Sequence, residues 1–212
     1  TWTSLLERAL HQSRKLHQAA RDSHGQLRLV TSQAQLAAAL ADGLPAARGQ
    51  LLAVLGTEGL HPLEGRLDHI DRLYDAGFRI MGLTHFFDNE VGGSAHGLDK
   101  GGLTPFGHEV LRQLQQRRMI VDLAHASPAV IDDVLAVTRR PVIVSHTGVQ
   151  AVCPGPRNLS DAHIRAIAAT GGLMGMGYFE GAMCELSVER IVRSIRHVAQ
   201  VAGVQHVALG SD

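Results

Sequence analysis

The stretch 119–148 constrains this chain more than any other. It reads Met-Ile-Val-Asp-Leu-Ala-His, then a helix-like run over Pro128–Val137, then Pro-Val-Ile-Val-Ser-His-Thr-Gly. Two short apolar strands thus each end in a histidine, His125 and His146, with a helix between them. Strands that are apolar on both faces belong to parallel sheets covered by helices. In such sheets the side chains at the carboxyl ends of neighbouring strands face one mouth. The pattern predicts that His125 and His146 lie side by side, where neutral imidazoles suit zinc or a similar ion. The competing reading is a pair of buried histidines that only satisfy backbone hydrogen bonds.

The rest of the chain continues the alternation. Helices are expected over residues 1–22, Gln33–Ala41, Leu63–Ala76, Thr104 to about Arg118, Asp161–Ala169 and Val188–Ala202. Strands are expected at Leu27–Val30, Gln50–Leu55, Phe78–Leu83, Gly172–Met176 and His206–Leu209. Strand then helix, repeated about six times, implies right-handed crossovers and a parallel sheet. No Gly-x-Gly-x-x-Gly follows the first strand, so a dinucleotide fold is not favoured. Polar residues instead recur at strand ends: Glu58, His85, His125, His146 and Asp212. That recurrence is expected of a (β/α)₈ TIM-type barrel with a metal site at its mouth.

Charge and length narrow the function. With 212 residues, 20 Lys plus Arg and 20 Asp plus Glu, the chain is formally neutral and long enough for one core. No basic stripe argues for nucleic acid, and no polybasic or long apolar run argues for a membrane segment. The 13 histidines are many. Cys153 and Cys184 form no Cys-x-x-Cys pattern and suggest no disulfide framework, which favours the cytoplasm over the periplasm. The chain opens without an initiator Met or a signal-peptide pattern. Its last residues stop at a strand end.

The strand-end residues suit hydrolysis of an amide. A divalent metal lowers the pKa of a bound water towards ~7 and polarises the carbonyl. Glu58, with glycines at 56 and 59, fits a carboxylate shared between two metals, or is a turn carboxylate facing solvent. His85 could hydrogen-bond a substrate carbonyl, or simply face the loop. Asp212 could hold the attacking water or shuttle its proton, or be a chain-terminal aspartate. Arg157, in the stiff loop Cys-Pro-Gly-Pro-Arg-Asn, could clamp a carboxylate in two places, or be a surface arginine. His61, His96 and His108 fall on loops or a helix start. His69-Ile70-Asp71 spells a metal-type His-x-Asp, but i and i+2 of a helix point apart.

At these residues the sequence closely resembles the membrane (renal-type) dipeptidase family of zinc peptidases. The matching pieces are Leu55-Gly56-Thr57-Glu58-Gly59, Gly82-Leu83-Thr84-His85, Gly102-Leu103-Thr104-Pro105-Phe106-Gly107, Val121-Asp122-Leu123-Ala124-His125, Val144-Ser145-His146, Val152-Cys153-Pro154-Gly155-Pro156-Arg157-Asn158 and Gly210-Ser211-Asp212. The resemblance implies a (β/α)₈ barrel of the metallo-dependent hydrolase type that hydrolyses dipeptides with two zinc ions. It implies that Glu58 bridges the metals and that His125 and His146 ligate one of them. His85 and Arg157 would contact the dipeptide, Arg157 at its free carboxylate, and Asp212 would assist the catalytic water. A homodimer is compatible with it.

Two departures accompany the resemblance. The family's other zinc takes a His-x-Asp from the first barrel strand, and nothing before Glu58 supplies one. The family's aromatic hydroxyl after the Gly-Gly strand falls near Tyr178 and Phe179, without a choice between them. The expectation is one catalytic-domain segment, residues 1–212, an incomplete central portion lacking the first and last barrel strands. A related barrel amidohydrolase acting on a cyclic amide or an acyl-amino acid, and a non-catalytic truncated relative, are the competing readings.

Overall fold

A computed structural model describes residues 2–41 and 43–212. The chain divides into two compact units: Thr1–Thr57 with His61–Met81, and Glu58–Leu60 with Gly82–Asp212.

In the first unit, helix α1 (Leu5–Asp22) starts at Ser4, whose side chain accepts from Glu7 N at 3.0 Å. That bond satisfies one of the amides a helix start leaves without a partner. Thr1 of the expected 1–22 helix lies outside the described residues. Strand β1 (Leu27–Leu29) is followed by α2 (Gln33–Leu40), capped by Ser32, and by β2 (Leu51–Ala53), which pairs parallel to β1. Strand β3 (Leu55–Thr57), helix α3 (His69–Asp75) and strand β4 (Phe78–Gly82) complete this part, with β3 parallel to β4.

Two expectations change here. The single strand expected at 50–55 is two strands, because β2 takes β1 as its partner and β3 takes β4, with Val54 between them. The helix expected from Leu63 begins only at His69. Glu64 and Gly65 take φ of 51° and 72°, a left-handed turn that no α-helix can contain.

In the second unit, α4 (Pro105–Gln116) is capped by Thr104, with Pro at its first turn. It buries Val110, Leu111 and Leu114, which its 3.6-residue period places on one face. Then follow β5 (Ile120–Asp122), α5 (Pro128–Val137), β6 (Ile143–Thr147), α6 (Asp161–Ala169), β7 (Leu173–Met176), the short α7 (Glu180–Met183), α8 (Val188–Ala202) and β8 (Val207–Leu209). Ser127, Ser160 and Ser187 cap α5, α6 and α8. The strands lie in the order β5-β6-β7-β8, all parallel. Val121, Val144, Met174 and Met176 of these strands are buried, as are Val130 and Val134 of α5 and Ile164 and Ile167 of α6. No helix among the described residues is long and apolar enough to cross a membrane.

The cysteines correct another expectation. Cys153 and Cys184 form a disulfide, Cα atoms 5.4 Å apart and 31 residues apart in sequence. The loop after β6 and the end of α7 place them together, a proximity that no local spacing announces.

Candidate metal centre

The site lies within the second unit and is built from strand ends. Asp122, the last residue of β5, is buried and fixes the two histidine-bearing turns. Its Oδ1 accepts from Ala124 N at 3.0 Å and from Ser145 N at 2.9 Å. His125 follows in a left-handed conformation, φ 64°, which is uncommon for any residue but glycine. The loop beyond β4 holds it there: His125 O accepts from Ala95 N at 2.8 Å, and Ser94 is bridged to Ala126. His146 lies within β6, and its Nδ1 is 2.9 Å from Ser145 Oγ.

The two imidazoles are buried and meet. His125 Nε2 is 2.9 Å from His146 Nε2. Glu58 Oε1 stands 2.9 Å from His125 Nε2, 3.3 Å from His146 Nε2 and 3.6 Å from His85 Nε2. Asp212 Oδ2 is 3.7 Å from His146 Nε2. The donor atoms form two overlapping sets, Glu58–His85–His125 and Glu58–His146–Asp212, each within 4.8 Å, and Glu58 belongs to both.

The electrostatics keep the imidazoles neutral. Burial, and next the Arg157 charge, push His125 down to about 2. The same two causes lower His146, opposed by Asp212 and Glu58. Arg157 is itself lowered to about 10 by burial, against the opposing charges of Asp122, Asp212 and Glu58. Its Nη2 donates to His146 O at 2.8 Å, and its buried Nε has no partner.

All six residues singled out in the sequence, Glu58, His85, His125, His146, Arg157 and Asp212, thus converge on one place. Two aromatic neighbours were not foreseen. His96 and Phe86 stand 5.2 Å and 5.5 Å from the His125 ring, and Phe86 is 4.3 Å from His85. Phe179 is 5.9 Å from His146, and the Arg157 guanidinium lies 5.9 Å over its ring. Of Tyr178 and Phe179, Phe179 is the one whose ring flanks the site. Asp122 carried a usable signal, a carboxylate within an otherwise apolar strand. His96 and Phe86 carried none, since a loop delivers them.

The donor set fits a metal ion. Two buried neutral imidazoles aimed at each other can share only one proton, whereas both lone pairs and the Glu58 carboxylate suit a cation. Parallel strands that deliver histidines and carboxylates from their carboxyl ends define an α/β protein with a metal cofactor. The model of the membrane dipeptidase family (peptidase family M19) matches residues 3–212, and the chain belongs to that family. It is 31% identical over 173 residues to an uncharacterised dipeptidase of Schizosaccharomyces pombe, covering 77% of this chain and 42% of that one. It is 33% identical over 171 residues to the dipeptidase aclJ of Aspergillus oryzae, covering 77% and 40%. The chain therefore spans about two-fifths of the length of these curated relatives.

Among solved structures it is similar to a probable dipeptidase, PvdM, of Pseudomonas aeruginosa (TM-score 0.85, 20% identity, 98% of this chain and 68% of that one). It is also similar to a Rhodobacter sphaeroides metallopeptidase liganded with a phosphinate mimic of L-Ala-D-Ala (TM-score 0.79, 23% identity, 94% and 59%). The fold is of the TIM-barrel type of metallo-dependent hydrolases, and this chain covers a portion of it.

Proposed function

We propose that this chain carries the central site residues of a dipeptidase that uses two zinc ions. The observation that supports this best is the convergence of His125, His146 and Glu58, with the Arg157 guanidinium bonded to His146 O beside them. Imidazole and carboxylate donors in this arrangement suit zinc. Glu58, common to both donor sets, stands where a shared ligand is needed. Bound there, a divalent cation lowers the pKa of a water and polarises the scissile carbonyl.

The chain's own groups supply the rest. His125 and His146, kept neutral, present lone pairs. The Asp212 carboxylate, 3.7 Å from His146 Nε2, accepts the proton that the attacking water loses and returns it to the leaving amine. His85 donates a hydrogen bond to the carbonyl oxygen as negative charge develops on it. Arg157 pairs with the free carboxylate of the dipeptide, and its fixed fork sets how far that carboxylate lies from the scissile bond. The disulfide leads us to place the protein in an oxidising compartment rather than the cytoplasm expected from the cysteine spacing.

The test is the full-length enzyme, analysed for bound metal and assayed for release of free amino acids from dipeptides, before and after chelation. The expected result is hydrolysis lost on chelation and restored by zinc. Turnover confined to cyclic amides or acyl-amino acids would overturn the reading.

A further inference from the structure

Arg157 stands on a loop that is fastened unusually firmly, while its own side chain is not. The neighbouring Asn158 is buried and spends its whole amide on backbone groups from three places. Its Oδ1 accepts from Gly148 N, just past β6, at 2.9 Å. Its Nδ2 donates to Cys153 O at 2.7 Å, within the loop, and to Ala182 O of α7 at 3.1 Å. The Cys153–Cys184 disulfide joins the same loop to the end of α7 a second time. The packing leaves no slack, for a Cβ on residue 148 would come within 2.1 Å of Ala182 O and 2.6 Å of Asn158 Oδ1. Thr147 Oγ1 also donates to Arg157 O at 3.2 Å. The guanidinium, by contrast, donates one bond to His146 O and leaves its buried Nε without a partner. A long flexible side chain gains little from recognising a carboxylate unless its backbone is already fixed.

We propose that Asn158 and the Cys153–Cys184 disulfide are positioning elements for Arg157: they fix the loop that aims its guanidinium at the substrate carboxylate, and they leave the metal-binding donors untouched. This rests on the dipeptidase reading and assigns within it how the carboxylate end is held. Two routes of attack are open. Asn158→Ala removes the side chain's bonds to all three backbone segments. Cys184→Ser breaks the cross-link from its exposed end, leaving the buried Cys153 in place.

The experiment uses the full-length enzyme and two phosphinate dipeptide mimics, one with and one without the carboxyl-terminal carboxylate. Inhibition constants and metal content are measured for the unaltered enzyme, for each variant, and for each variant combined with Arg157→Ala. Each variant is expected to weaken the carboxylate-bearing mimic by about tenfold, the scale of one charge-assisted bond. Affinity for the other mimic and metal content should hold, and the Arg157→Ala background should abolish the difference. Equal weakening of both mimics, or an effect that persists without Arg157, would overturn the proposal, and so would unchanged constants in both variants. Failure of the unaltered enzyme to bind either mimic would count instead against the dipeptidase reading.

Discussion

The Nε2 atoms of His125 and His146 lie 2.9 Å apart and share Glu58 Oε1 as a neighbour. At that distance either an N–H···N hydrogen bond or a cation held by both can join them. A divalent cation at about 100 times its Kd stabilises the folded state by about 2.7 kcal/mol. In the full-length protein, His146→Ala should remove most of that metal-dependent rise in Tm. Differential scanning calorimetry with and without zinc reads the difference directly. An undiminished rise would place the ion elsewhere.

Arg157→Lys keeps the charge but loses the planar fork. The variant should lose more activity on a free dipeptide than on the corresponding dipeptide amide, since only the former presents a carboxylate. Paired kcat/KM values for the two substrates decide it, and equal losses would remove Arg157 from carboxylate recognition.

Leu114 is fully buried on the inner face of α4. Its truncation to alanine leaves a cavity and should cost about 2–5 kcal/mol. Thr104→Ala, which removes the cap of the same helix together with the hydroxyl's bond to Glu90 O, should cost less, about 1–2 kcal/mol. Urea denaturation of both variants should rank them in that order.

Asp88 organises the loop that carries His96. Its carboxylate accepts from Ser94 N at 2.8 Å and Asp99 N at 2.9 Å. Those backbone bonds hold its pKa below the ordinary 3.8. A depressed carboxylate pKa stabilises the fold above the unfolded value and loses that contribution as pH falls through the folded one. Hydrogen exchange at Ser94 and Asp99 should therefore be protected at neutral pH. After correction for intrinsic rates, it should accelerate selectively in the acid range below the ordinary value. Protection at these amides that does not change with pH would show that the carboxylate is not what holds the loop.

Much of this was legible because the signals were local. The helices expected at Pro128, Asp161 and Val188 start there, each after a serine whose oxygen caps it and, at 128, with a proline whose missing amide costs nothing. The convergence of His125, His146 and Glu58 followed from one topological rule about strand ends. What was hidden depended on partners distant in sequence. The switch from β2 to β3 is set by which strand each finds, and the Cys153–Cys184 bond by where two loops end. His96 and Phe86 reach the site through loop conformations that no periodicity describes.

The disulfide also has a topological consequence. It closes a ring of backbone that contains the whole of α6, β7 and α7. A protease that nicks the chain once anywhere between Cys153 and Cys184 therefore produces two pieces that stay covalently joined. They should migrate as one species on a non-reducing gel and separate only after reduction, so a single cleavage there would pass unseen until the bond is opened.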